Sequence, residues 1–169
     1  MQSSLRILNI TTGLGDGGAE ATLFRLCCHD KHNKHYVISL TGVGKYFDLL
    51  IERNIQVFTV DFKKKPIYSL FKLMVFINKI KPDVVQTWMY HADLIGGLAA
   101  KLSGINNIFW GVHNTILQKK HSKISTRIVA RINAFLSYVI PKKIIYCANS
   151  SRSVHEIFGY NKNGVVIFN

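Results

Sequence analysis

Seven short β-prone runs alternate with six stretches of helical spacing along the whole chain, and that alternation limits the fold more than any other feature. Residues 5–10 (LRILNI), 36–40 (YVISL), 55–60 (IQVFTV), 83–88 (DVVQTW), 107–112 (NIFWGV), 143–148 (KIIYCA) and 164–168 (GVVIF) read as strands. They are rich in β-branched and aromatic residues and too short for helices. Residues 18–28, 46–53, 66–81, 91–103, 124–139 and 150–158 read as helices. Pro66 opens one of them and Pro82 follows its end, while Gly104 and Gly159 close two others, as helix termini favour. Strict alternation predicts parallel β-α-β units: an α/β, Rossmann-like parallel sheet with helices on both faces.

The first crossover is unusual. ITTGLGDGGAEATL, residues 10–23, sets Gly13, Gly15, Gly17 and Gly18 within six positions, between the first strand and the first helix. Glycine serves where the backbone needs positive φ or where another molecule must approach the main chain. In sheets of this kind ligands bind outside the carboxyl ends of the strands. Loop amides followed by a helix N-terminus there predict an anion site, with phosphate as the first candidate. Gly13, Gly15 and Gly18 also spell G-x-G-x-x-G. A nicotinamide dinucleotide would need an acid at the end of the second strand. That strand ends Ser39-Leu40-Thr41, and the next acid, Asp48, is already in the following helix. No G-K-[ST] follows, so a nucleoside-triphosphate loop fails too. The competing reading is that the glycines only let strand and helix pack closely.

Length and charge bound the rest. The chain's 169 residues suit one domain with a core. Twenty-two Lys+Arg against nine Asp+Glu give a net charge of +13, which attracts anions of any kind. No zinc spacing, RNP sequence or paired basic–aromatic strand appears, so specific nucleic-acid binding is not expected. Cys27, Cys28 and Cys147 form no C-x-x-C and no disulfide framework. No segment is long and apolar enough to be a signal peptide or a membrane span; Lys72 and Asn78 interrupt the most apolar stretch. HDKHNKH places His29, His32 and His35 three apart, but nothing completes a metal site, and none is expected. His121 and His155 read as residues in polar settings without a chemical role.

Two basic segments stand out: Lys63-Lys64-Lys65, and Lys119, Lys120 and Lys123 before a helix bearing Arg127 and Arg131. In that helix apolar residues fall at 124, 128, 132, 135 and 139. The plain expectation is an amphipathic helix laid on the sheet with a solvated basic edge. The functional one is a patch that settles on an anionic membrane.

With these residues in place, the sequence resembles the retaining GT-B glycosyltransferases of glycosyltransferase family 4. The resemblance lies in G-G-x-E (Gly17, Gly18, Ala19, Glu20), in KPDVVQTWMYHADLIGGLAAKLSGI (81–105), in WGVHNT (110–115), in ANSSRSV (148–154) and in the terminal VVIFN. It spans nearly the whole chain, in order. The family's usual histidine in the fourth strand is Gln86 here.

That resemblance implies a GT-B fold of two Rossmann-like halves, with residues 1–169 the N-terminal, acceptor-binding one. The C-terminal nucleotide-sugar domain, which carries E-x7-E, is not in this chain, and the chain alone is expected to be inactive. The implied reaction moves a sugar from a nucleotide-sugar to a polysaccharide or lipid-linked acceptor with retention, in bacterial-type surface glycan synthesis. The nucleotide-sugar is a substrate, and no further cofactor is implied. Gly15, Gly17 and Gly18 match the loop that approaches the donor. His113 matches a histidine that touches a donor sugar hydroxyl, the catalytic candidate. Tyr90, His91, Asp93 and Asn114 sit where acceptor contacts are expected. Glu20, in the first turn, reads as a capping and dipole partner. The departing phosphate is implied to take the acceptor proton. A cytoplasmic location, peripheral on the inner face of the plasma membrane, fits lipid-linked acceptors. The alternative is a non-catalytic basic module that holds a nucleotide or an anionic lipid.

Overall fold

The computed structural model describes residues 3–113 and 124–168. The elements run β1 (Arg6–Thr11), α1 (Gly18–His29), β2 (Lys34–Ser39), α2 (Lys45–Glu52), β3 (Gln56–Thr59), α3 (Pro66–Ile80) and β4 (Val84–Trp88). They continue with α4 (Tyr90–Leu102), β5 (Ile108–Val112), α5 (Ile124–Leu136), β6 (Lys143–Tyr146), α6 (Asn149–Phe158) and β7 (Val165–Val166). The strands form one seven-stranded sheet in the order β3-β2-β1-β4-β5-β6-β7. Every pairing is parallel. β7 is shorter than its sequence suggests, pairing only against Ile145 and Tyr146 of β6 at the sheet edge.

Alternation along the strands divides the core in two. Leu8, Ile10, Tyr36, Ile38, Val85, Trp110, Val112 and Ile144 point to one face, beneath α3, α4, α5 and the end of α6. Val37 and Trp88 point to the other, and with Leu14, Leu23, Cys27 and Leu50 form a second cluster beneath α1 and α2. The chain enters at β1, runs outward to β3, then crosses back to β4 on the other side of β1. The switch point therefore lies between β1 and β4, with the glycine loop and the start of α4 above it.

α5 departs from the expected packing. Its buried residues are Ala130, Asn133 and Ala134, while Ile124, Ile128, Ile132 and Phe135 are exposed, as is Val139 just beyond it. The predicted amphipathic orientation is inverted, because small residues let α5 approach α4 closely and the large ones are turned to solvent. α3 shows a similar outward stripe at Ile67, Tyr68, Phe71 and Val75, each more than half exposed. Among the described residues no helix is long and apolar enough to cross a membrane, and Cys27, Cys28 and Cys147 are free thiols.

Candidate functional site

An open cleft of about 540 Å³ lies above the carboxyl ends of the central strands. Each of β1 to β4 contributes the residues that follow it: Thr12 and Gly13, Leu40 and Thr41, Phe62 and Lys63, and Met89 and His91. Glu20 of α1, Ile95 of α4, and Ser125 and Thr126 of α5 complete the wall among the described residues. Met89 connects β4 to α4 at φ 76°, ψ 156°, a conformation that L-residues rarely adopt and that concentrates at functional sites.

Thr12 and Gly13 of the glycine loop form part of one rim, whereas Gly15, Gly17, Gly18 and His113 are not among the residues that line the cleft. None of the loop's four glycines has positive φ, so the turn itself does not require them. A side chain at Gly15 or Gly18 would meet nothing within 4 Å, whereas Gly17 lies directly under the Glu20 carboxylate. Glu20 is the acid in the first turn of α1, as expected of a dipole partner, and its carboxylate lies over Gly17 and lines the cleft. The loop is pinned from β2 and α2: Thr41 Oγ1 donates to the Thr12 carbonyl at 2.7 Å, the Tyr46 amide to Leu14 at 3.0 Å, and Lys45 pairs with Asp16 at 2.8 Å. Backbone left bare at Gly15 and Gly18 beside a helix N-terminus is suited to an anion, while the Glu20 carboxylate covers Gly17.

His113 directly follows β5 and is half-buried. Its ring stacks on Trp88 with centroids 5.0 Å apart and planes 17° from parallel, above Gly111, where a Cβ would lie 3.5 Å from His113 Nε2. Burial holds this imidazole below the ordinary histidine range, so it is neutral at pH 7 and can donate or accept. His91 is likewise lowered, by burial first and then by the positive charge of Lys63.

This is the fold seen in a group of solved structures. Over 98% of its length the chain superposes on 44% of Anabaena Alr3699/HepE in complex with UDP-glucose, at TM-score 0.79 and 20% identity. It superposes over 98% on 45% of Acinetobacter baumannii MurG at TM-score 0.66 and 19% identity. It covers 98% of its own length and 46% of the lipopolysaccharide outer core galactosyltransferase WaaB at TM-score 0.67 and 14% identity. The fold matches a GT-B half domain. The chain spans less than half the length of each of these proteins. Rickettsia bellii UDP-N-acetylglucosamine 2-epimerase shares the architecture at TM-score 0.60 and 17% identity, so the fold alone does not choose a reaction. No family model matches the sequence, and no curated protein does.

Of the expected acceptor residues that the structure describes, His91 alone lines the cleft. Asp93 is a correction: it is 0% exposed, and its Oδ1 accepts a 2.6 Å hydrogen bond from Thr87. Burial raises its carboxyl well above the usual carboxylate range, and its Oδ2 has no hydrogen-bond partner among the described residues. Tyr90 is a second correction. It is buried, and its hydroxyl is 2.6 Å from His155 Nε2. His155 itself is 0% exposed and lies in a cluster with Tyr146 and Tyr160, not in a polar setting. Asn114 lies outside the described residues, as do Lys119, Lys120, His121 and Lys123. Among the described residues no cluster of three His, Cys, Asp or Glu could hold a metal. Sequence reading missed Thr41, Phe62 and Met89 as cleft residues. Taking the residue after every predicted strand end would have found Thr41 and Met89; Phe62 lies one residue further on, and the backbone conformation of Met89 leaves no mark in the sequence.

Proposed function

We propose that this chain is the acceptor-side half of a retaining glycosyltransferase that moves a sugar from a nucleotide-sugar to a polysaccharide or glycolipid. The observation that carries this reading is the glycine loop, bare at Gly15 and Gly18 without any backbone need for glycine. A donor diphosphate would sit against its amides and the N-terminus of α1. The sugar C1–O bond to the diphosphate breaks, and a C1–O bond to the acceptor forms on the same face. The acceptor hydroxyl proton passes to the departing phosphate oxygen, so no protein base is needed. His113, neutral and held flat on Trp88, hydrogen-bonds a donor hydroxyl. His91, Lys63 and the cleft walls meet the acceptor. The HepE complexes contain UDP and UDP-glucose, so UDP-sugars are the first donors to try.

The outward apolar stripes of α3 and α5 support a peripheral site on the cytoplasmic face of the plasma membrane. They adjoin Lys63, Lys64 and Lys65, and Arg127 and Arg131. A lipid-linked acceptor would then reach the cleft, whose wall includes the approaches to both helices.

The test is nucleotide release from a panel of UDP-, GDP- and ADP-sugars by the complete gene product, with membrane extract as acceptor. Release from one donor, dependent on the extract, is expected. Its rate stays level from pH 8 down to about 6.5 and falls only below, because the imidazoles of His91 and His113 both sit under the ordinary value. Failure of the whole panel, with tight nucleotide binding by this chain alone, supports the non-catalytic module.

A further inference from the structure

A single line of polar side chains crosses the α1 face of the sheet and ends under His113. Trp88 Nε1 donates to Asn9 Oδ1 at 3.1 Å. Asn9 Nδ2 lies 3.2 Å from His35 Nδ1, and His35 Nε2 lies 3.1 Å from Asp30 Oδ2. Asp30 accepts from Asn33 Nδ2 at 2.8 Å and from the backbone amides of His32 and Asn33. Those donors hold its carboxyl down to about 2. Asn9, Trp88 and the ring of His35 are buried.

The direction of every bond follows from one fact: an indole N–H can only donate. Asn9 must therefore turn its oxygen to Trp88 and its NH₂ to His35. His35 Nδ1 must accept, so the ring proton sits on Nε2 and is given to the Asp30 carboxylate. The Asn9 NH₂ has two weaker acceptors, the Tyr36 carbonyl at 3.5 Å and the Cys27 sulfur at 3.7 Å. Burial raises the Cys27 thiol to about 12, so it carries no charge. Lys31, Lys34 and Arg53 surround the outer end with Asp30. At the inner end the indole plane, fixed by Asn9, carries the His113 ring.

We propose that Asn9 is a positioning residue for His113. It sets the rotation of Trp88, and so the plane on which the imidazole lies. His35 and Asp30 keep the Asn9 amide from flipping. The span is β2 to β5 across β1 and β4, three strand spacings or about 15 Å. The inference gives a role to Asp30 and His35, which the proposed transfer does not use. It rests on the proposed importance of His113, but its test needs no turnover.

The test reads the ring-proton signals of His113 in the labelled chain, assigned by His113→Gln. Stacking on Trp88 displaces them upfield. Asn9→Leu, which leaves the indole without an acceptor, is expected to abolish most of that displacement. Asn9→Asp, which keeps an oxygen toward the indole, is expected to retain it. Unmoved signals in a folded Asn9→Leu chain would overturn the proposal. So would equal loss in both variants, which marks general loosening. If Asn9→Leu does not fold, Asp30→Ala decides: it removes only the outer carboxylate. A shift at His113 in that variant supports the line of bonds, and none refutes it. A positive result with no sugar transfer by the complete protein would leave the positioning intact and remove the proposed reaction.

Discussion

Gly111 has no space for a side chain: a Cβ there would stand 2.8 Å from the Thr87 carbonyl oxygen. Gly111→Ala therefore forces β4 and β5 apart under the His113 ring. We expect a loss of about 2 kcal/mol, visible as a lower melting temperature, together with a changed His113 signal. Asp93 makes the opposite prediction. Its proton is bound more tightly in the fold than in the open chain, because burial raises the folded value. Above the unfolded value of about 3.9 the unfolded state releases that proton and the folded state keeps it, so stability falls as pH rises. Asp93→Asn keeps an oxygen for Thr87 and has no proton to lose. It is expected to melt above wild type at pH 7 and to flatten that decline. A variant that melts well below wild type at pH 7 would mean that the carboxyl is ionised and needed.

Most of the elements were legible from periodicity, and the site was legible only in part. The strands announce themselves as short branched runs, and the glycine loop marks the switch point because few folded chains place four glycines together. Tyr90 and Asp93 misled because position next to a strand end does not reveal rotation: α4 turns His91 outward and its neighbours inward. α5 misled for a related reason. Helical spacing shows that large apolar residues share a face, but small residues such as Ala130 and Ala134 let the other face pack. The exposed stripes of α3 and α5 are then available to a bilayer. Phe71 is 64% exposed, and Phe71→Asp should weaken co-sedimentation with phosphatidylglycerol vesicles about 30-fold, the loss of about 2 kcal/mol of burial. Lys65→Ala should weaken it about fivefold, and less at high salt. Equal sedimentation of all three proteins would place the patch elsewhere.

At the scale of the molecule, the proposed function places an anion over the bare loop at the switch point, above the carboxyl ends of the central strands of a strongly basic chain. In the proposed function the +13 charge draws in anionic donor and acceptor without selecting between them, and selection falls to the loop and the cleft. The most direct measurement compares Gly18→Val with wild type in the complete gene product, reading melting temperature and nucleotide-sugar turnover side by side. Open space around Gly18 predicts melting within about 0.5 kcal/mol of wild type, with turnover reduced about 100-fold or more as the donor diphosphate is held off the amides. A folded Gly18→Val protein that turns over donor at the wild-type rate would contradict the account.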